Sequence, residues 1–194
     1  MKATLSTLIF LTASFFSAPA HATPQQSATA TATATPQNSG PVKNPVMTSV
    51  RTILTRQQKN IPAAVDAMPA DKFGYKPTPD QMSFAHLVIH IAESNNAMCA
   101  KLANVSAPKV DELTDSDSKD KLLAAVRSSF DFCSSSLANT DDSNLGDPIE
   151  FFGRQGPRAM AAFILTGGWS DHYSAAAMYL RLNGILPPTA QPKK

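Results

Sequence analysis

Residues 83–103 read SFAHLVIHIAESNNAMCAKLA, and this stretch decides the fold. Phe84, Leu87, Val88, Ile91, Met98 and Leu102 recur three and four residues apart, the apolar stripe of an amphipathic helix. Ser83 stands directly before the stripe as an N-cap, and the helix is expected to run to about Ala103. His86 falls at the third helical position, where Glu or Gln usually closes a capping box, and by angle it lies off the stripe, facing solvent.

The same period recurs on either side. Val46, Val50, Ile53, Leu54, Ile61 and Val65 predict a first helix over 45–66, with a kink or break at Pro62. Ala70 to Met82, rich in Pro, reads as an extended connection, in which Thr78-Pro79-Asp80-Gln81 has the chemistry of one short turn. After a polar loop over 104–118, Leu122, Leu123, Val126, Phe130, Cys133 and Leu137 predict a third helix over 119–138. Residues 139–156 read as an irregular connection carrying Asp141-Asp142 and an apolar patch at 149–152. A fourth helix is expected to open at Pro157 and to stop at Asn183-Gly184, before Pro187-Pro188. Gly167-Gly168 falls in its middle, where each Gly costs about 1 kcal/mol relative to Ala, so the pair calls for close packing or a bend. No strand-like alternation of useful length occurs. The expected fold is therefore all-α, a four-helix bundle with long connections over residues 44–190.

The N-terminal part is of another kind. Met1-Lys2 is followed by an uncharged apolar run from Leu5 to Phe16, a break at Ser17-Ala18-Pro19 and small residues at Ala20 and Ala22. This is the pattern of a Sec-type signal peptide over 1–22, cleaved after Ala22, and it directs the protein to the periplasm or out of the cell. The run is shorter than the ~20 residues of a permanent anchor, so no stable membrane span is expected after cleavage. Residues 23–43, mostly Ala, Thr, Gln, Ser and Pro, read as a disordered linker that cannot bury enough apolar surface to order itself. The formal net charge is +2, and Lys2 leaves with the leader. The remaining Lys and Arg are scattered, which argues against a nucleic-acid partner or a polybasic membrane patch.

Cys99 and Cys133 are the two cysteines. In an oxidising compartment they are a disulfide candidate, and the alternative is two small buried hydrophobes on facing helices. Spacing alone does not place their Cα atoms within bonding range. Elsewhere the glycines form no phosphate loop, Ser134-Ser135-Ser136 has no histidine placed by sequence to activate it, and neither C-x-x-C nor an EF-hand loop is present.

Several segments in order resemble the DinB-like (DinB/YfiT) family of four-helix bundles. They are the connection Met68 to Phe84, the run His86-Leu-Val-Ile-His-Ile-Ala92, the segment Ser129-Phe130-Asp131-Phe132-Cys133, and the closing Asp171-His-Tyr-Ser-Ala-Ala-Ala-Met-Tyr-Leu-Arg181 with its Pro187-Pro188 stop. The resemblance covers about 45–188. It implies a divalent metal, Zn²⁺ or Ni²⁺, held by three histidines, one on the second helix and two on the last at H-x-x-x-H spacing. His90 matches the first position and His172 the last, while Gly168 stands at the middle one, and Ser174-Ala175 replaces a common Gly-Gln. His86, four residues before His90 on the same helix flank, is the candidate substitute ligand.

Two readings follow. One is an exported bundle with a degenerate metal centre that binds a small ligand or a partner, a second copy of itself included. The other is a divalent-metal hydrolase or thiol S-transferase-like enzyme using His90, His172 and His86. The catalytic residues and the substrate are not specified by the sequence. Alternatives for the histidines are a solvent-exposed His86, a hydrogen-bonded His90 at the core rim, and a His172 paired with Asp171, a neighbouring chain or water.

Overall fold

A computed structural model describes residues 40–192. The expected signal peptide, and the linker apart from its last residues, lie outside the described part. In chain order the elements are α1 (Pro45–Ala67), α2 (Phe84–Ala103), α3 (Lys119–Leu137), β1 (Pro148–Phe151), β2 (Arg154–Pro157) and α4 (Ala159–Leu182), with single 3₁₀ turns at Ala70–Lys72 and Pro188–Ala190.

The helices form a bundle in which α2 packs on α3 and α4, and α1 packs on the same two. The order around the bundle is thus α1, α3, α2, α4, with α1 diagonal to α2 and α3 diagonal to α4. Those two diagonals are bridged by 68–83 and 138–158. Buried apolar residues recur along α2 from Phe84 and Leu87 to Leu102, the face its sequence stripe predicts. Trp169, Phe84, Phe130, Met47 and Ile61 are the bulkiest buried side chains, each contributing roughly 1.5–3 kcal/mol of transfer free energy.

Three expectations are corrected. First, the connection after α3 carries a β-hairpin. Pro148 pairs with Pro157 and Phe151 with Arg154 in antiparallel register, and the two turn residues Phe152 and Gly153 both have positive φ, 48° and 76°. A type I′ turn has this signature and matches the twist of the strands it joins. The strands are only four residues long and Phe-Gly replaces the usual Asn-Gly, so alternation had no length in which to show. Second, Pro157 ends β2 instead of opening the last helix, which starts at Ala159. Third, α1 is not broken at Pro62. Met47, Val50 and Leu54 before it and Ile61, Ala64 and Val65 around it are all buried, and this packing outweighs the ~3 kcal/mol that an interior proline costs a helix.

The N-terminus of α1 is capped from a distance. Asn44 makes no side-chain cap. Instead the Asp142 carboxylate accepts from Val46 N–H at 3.0 Å and Met47 N–H at 2.9 Å, placing negative charge at the positive end of the helix. Asp142→Ala should therefore cost about 1–2 kcal/mol, read as a lower midpoint in urea with an unchanged slope.

A satisfied polar network crosses the core. Asn95 of α2 donates to Ser129 Oγ of α3 at 3.0 Å and accepts from Trp169 Nε1 of α4 at 2.7 Å, while Ser129 donates to the Val126 carbonyl at 2.8 Å. Buried polar groups that find all their partners fix which helices face each other. One helical turn further along α2, Cys99 is joined by a disulfide to Cys133 of α3, with the Cα atoms 5.2 Å apart.

Candidate functional site

His90 and His172 meet between α2 and α4. Their ring centroids are 5.0 Å apart and the planes stand at 83°, edge to face. Both residues line a cavity of about 360 Å³. The walls come from one stripe of each helix: Glu93, Ser94 and Met98 continue from His90 along α2, and Ile164, Leu165, Gly168 and Trp169 precede His172 on α4. Phe152, at the tip of the hairpin, also lines the cavity and is 84% exposed.

The two imidazoles differ. His90 is exposed, with Nε2 3.4 Å from Ser94 Oγ. His172 is half-buried and its Nδ1 is enclosed without a hydrogen-bond partner. Burial, and then the facing His90, push the His172 pKa down to about 4, against an opposing pull from Asp171. The folded protein thus resists protonation that the unfolded chain accepts near 6.5. This stability is present above about pH 6.5 and is lost as pH falls towards 4. Solvent reaching part of the ring reduces the effect to about 1–2 kcal/mol. Urea denaturation at pH 7 and pH 4.5 should show that loss, and a His172→Asn variant should show correspondingly less.

His86 does not join the pair. Its backbone N–H donates to Ser83 Oγ at 2.9 Å, so Ser83 is the N-cap of α2. Its side chain is 57% exposed, with Nδ1 3.2 Å from Asp115 Oδ1, and Ser83 Oγ donates to the other oxygen of Asp115 at 2.6 Å. His86 is therefore corrected from substitute ligand to part of a helix-capping cluster. Asp115 sits in a polar loop with nothing in its local sequence to mark this role.

Of the two reasons expected for Gly167 and Gly168, close packing is not one: α4 continues through them as a helix, and a Cβ at Gly167 would meet nothing within 4 Å. A Cβ at Gly168 would meet only His172 Cε1, at 3.6 Å. Close helix packing is not what requires glycine here. The missing side chain at Gly168 leaves space beside the histidine pair.

A three-histidine metal centre can be tested against this donor set. Two imidazoles meet, glycine stands where the third would be, and His86 is held by Asp115. Among the described residues no three His, Cys, Asp or Glu side chains are grouped to hold an ion. A catalytic zinc site takes three protein ligands, so the residues present do not fit one.

A four-helix bundle with two long crossovers and a histidine-lined cavity between the second and fourth helices is the class that fold and site define. Residues 53–172 match the DinB superfamily, and the chain belongs to it. Two solved structures share the fold. A DinB-like protein from Bacillus subtilis is 16% identical with a TM-score of 0.60, over 74% of this chain and 99% of its own. A DinB-like protein from Bacillus cereus is 15% identical, also with a TM-score of 0.60, over 73% of this chain and 95% of its own. No curated protein matches the chain in sequence. Among the described residues no helix is long and apolar enough to cross a membrane.

Proposed function

We propose that this chain is an exported small-molecule-binding bundle, in which the cavity beside His90 and His172 takes an apolar ligand in place of a catalytic metal. The observation that carries the reading is the cavity of about 360 Å³ with Phe152 at its edge. Phe152 holds φ at 48°, a conformation that costs a residue other than glycine of order 1–3 kcal/mol. It also spends an exposed aromatic ring on a turn position that Asn or Gly would fill without strain. Strain kept at the edge of an apolar cavity favours a working role for the ring, contact with the occupant. Export draws on the leader pattern of 1–22 and is compatible with a Cys99–Cys133 bond, which persists in an oxidising compartment.

The test is binding of small apolar and aromatic compounds by calorimetry, with fluorescence of the single tryptophan, Trp169, as a second readout. Saturable binding is expected. Gly168→Leu should abolish it while raising stability, because the new side chain fills the cavity and replaces a helical glycine. Binding that survives this variant would move the site elsewhere, and no binding in the parent would end the reading. Stoichiometric Zn²⁺ or Ni²⁺ in the purified protein, lost in His90→Ala, would instead favour the metal-dependent hydrolase or thiol transferase.

A further inference from the structure

Resting on the ligand-binding reading above, we propose that the α2/α4 cavity selects ligands with an apolar body and a protonated amine, and that Glu93 receives the ammonium group. Glu93 is the one formally charged residue other than histidine in the lining; neither Lys nor Arg contributes to it. Of the nearby carboxylates, Asp115 is held by Ser83 and His86, Asp117 by Lys121 at 2.8 Å, and Asp147 by Arg158 at 3.7 Å, while Asp171, beside His172 in sequence, does not line the cavity. The Glu93 carboxylate appears in none of the hydrogen bonds or ion pairs among the described residues. Lys109 and Lys121 line the neighbouring cleft between α2 and α3, which Glu93 also borders, but Lys121 is engaged with Asp117 and neither lysine is within ion-pair distance of Glu93.

The other polar atoms of the lining point to the same ligand. Asn95 is committed to Ser129 and Trp169. What remains is the Ser94 hydroxyl and the exposed His90 imidazole that shares a 3.4 Å contact with it. A carboxylate, a hydroxyl and an imidazole nitrogen can all accept. An ammonium group brings three donors and no acceptor, so it satisfies such a set. An anion would instead meet Glu93 with no cation to offset the repulsion. Met98, Ile164, Leu165 and the edge of Trp169 supply the apolar wall. The exposed ring of Phe152 offers a π-face at the rim, which favours a cation over an anion.

The experiment compares three probes of matched shape by titration calorimetry on the oxidised bundle: 2-phenylethylamine, 2-phenylethanol and phenylacetate. The amine should bind about tenfold or more tightly than the alcohol, the scale of one charge-assisted hydrogen bond, and phenylacetate should bind weakest. Glu93→Gln should remove the amine's advantage and leave the affinity for the alcohol unchanged, a result that loss of folding would not produce. If all three bind alike or phenylacetate binds tightest, the amine preference is wrong; if Glu93→Gln leaves the order intact, the assignment of the ammonium to Glu93 is wrong; in each case the cavity reading stands. If none of the three binds, both fail.

Discussion

Replacing Cys99 and Cys133 together by Ala should lower the unfolding free energy by about 3–4 kcal/mol. The two cysteines are 34 residues apart, and closing a loop of that size removes this much chain entropy from the unfolded state. Both residues are fully buried, so the native protein should also resist mild reductant and lose the bond only once it unfolds. Denaturation in urea with and without dithiothreitol, beside the double-Ala variant, measures this. A fall of less than about 1 kcal/mol would mean that helix packing alone determines the α2/α3 pairing. Non-reducing mass analysis of the protein isolated from its cells establishes the state of the pair: two free thiols there would remove both the bond and one support for the export proposed above.

The second large effect is a gain. Gly168→His should convert the histidine pair into a metal site. On α4 the new residue stands four positions before His172, and positions four apart share a helix face. Its Cβ has ordinary contact distance to His172 Cε1, 3.6 Å, so the substitution needs no backbone shift. A third imidazole completes the protein ligand number of a zinc site, and the apparent Zn²⁺ dissociation constant should fall by on the order of 100-fold, about 2.7 kcal/mol. Equilibrium dialysis with metal analysis checks it, with His90→Ala in the Gly168→His background as control. An unchanged Zn²⁺ affinity would show that the two imidazoles cannot turn to a common ion, and the cavity would then differ from a metal centre by more than one residue.

The helices were legible because each carries its own apolar period. For α2 even the start could be read, since Ser83 caps it locally; α3 starts where its period predicts, with Ser118 as the cap the structure adds. α1 was read to within a residue at each end, but its cap comes from Asp142, nearly a hundred residues away, and no local pattern announces a partner at that distance. The hairpin was missed because four-residue strands built around a Phe-Gly turn carry too little alternation to separate from loop. In the site, the order of His90, Gly168 and His172 could be matched through a family resemblance. The roles of Glu93, Phe152 and Asp115 could not, because each is an ordinary exposed residue until the chain folds around it.

By itself the sequence determined an all-α chain of four amphipathic helices and the residues each helix buries, and through its family resemblance it implied a histidine set one member short. These are properties of local period and residue identity, and they need no partner. Only the tertiary structure decided that His86 belongs to a capping cluster, that His90 and His172 face each other across a cavity, and that the glycine beside them leaves open space. The reason is physical. A side chain's chemistry depends on what surrounds it, and for these residues the surroundings come from helices that are distant in sequence and adjacent only after packing.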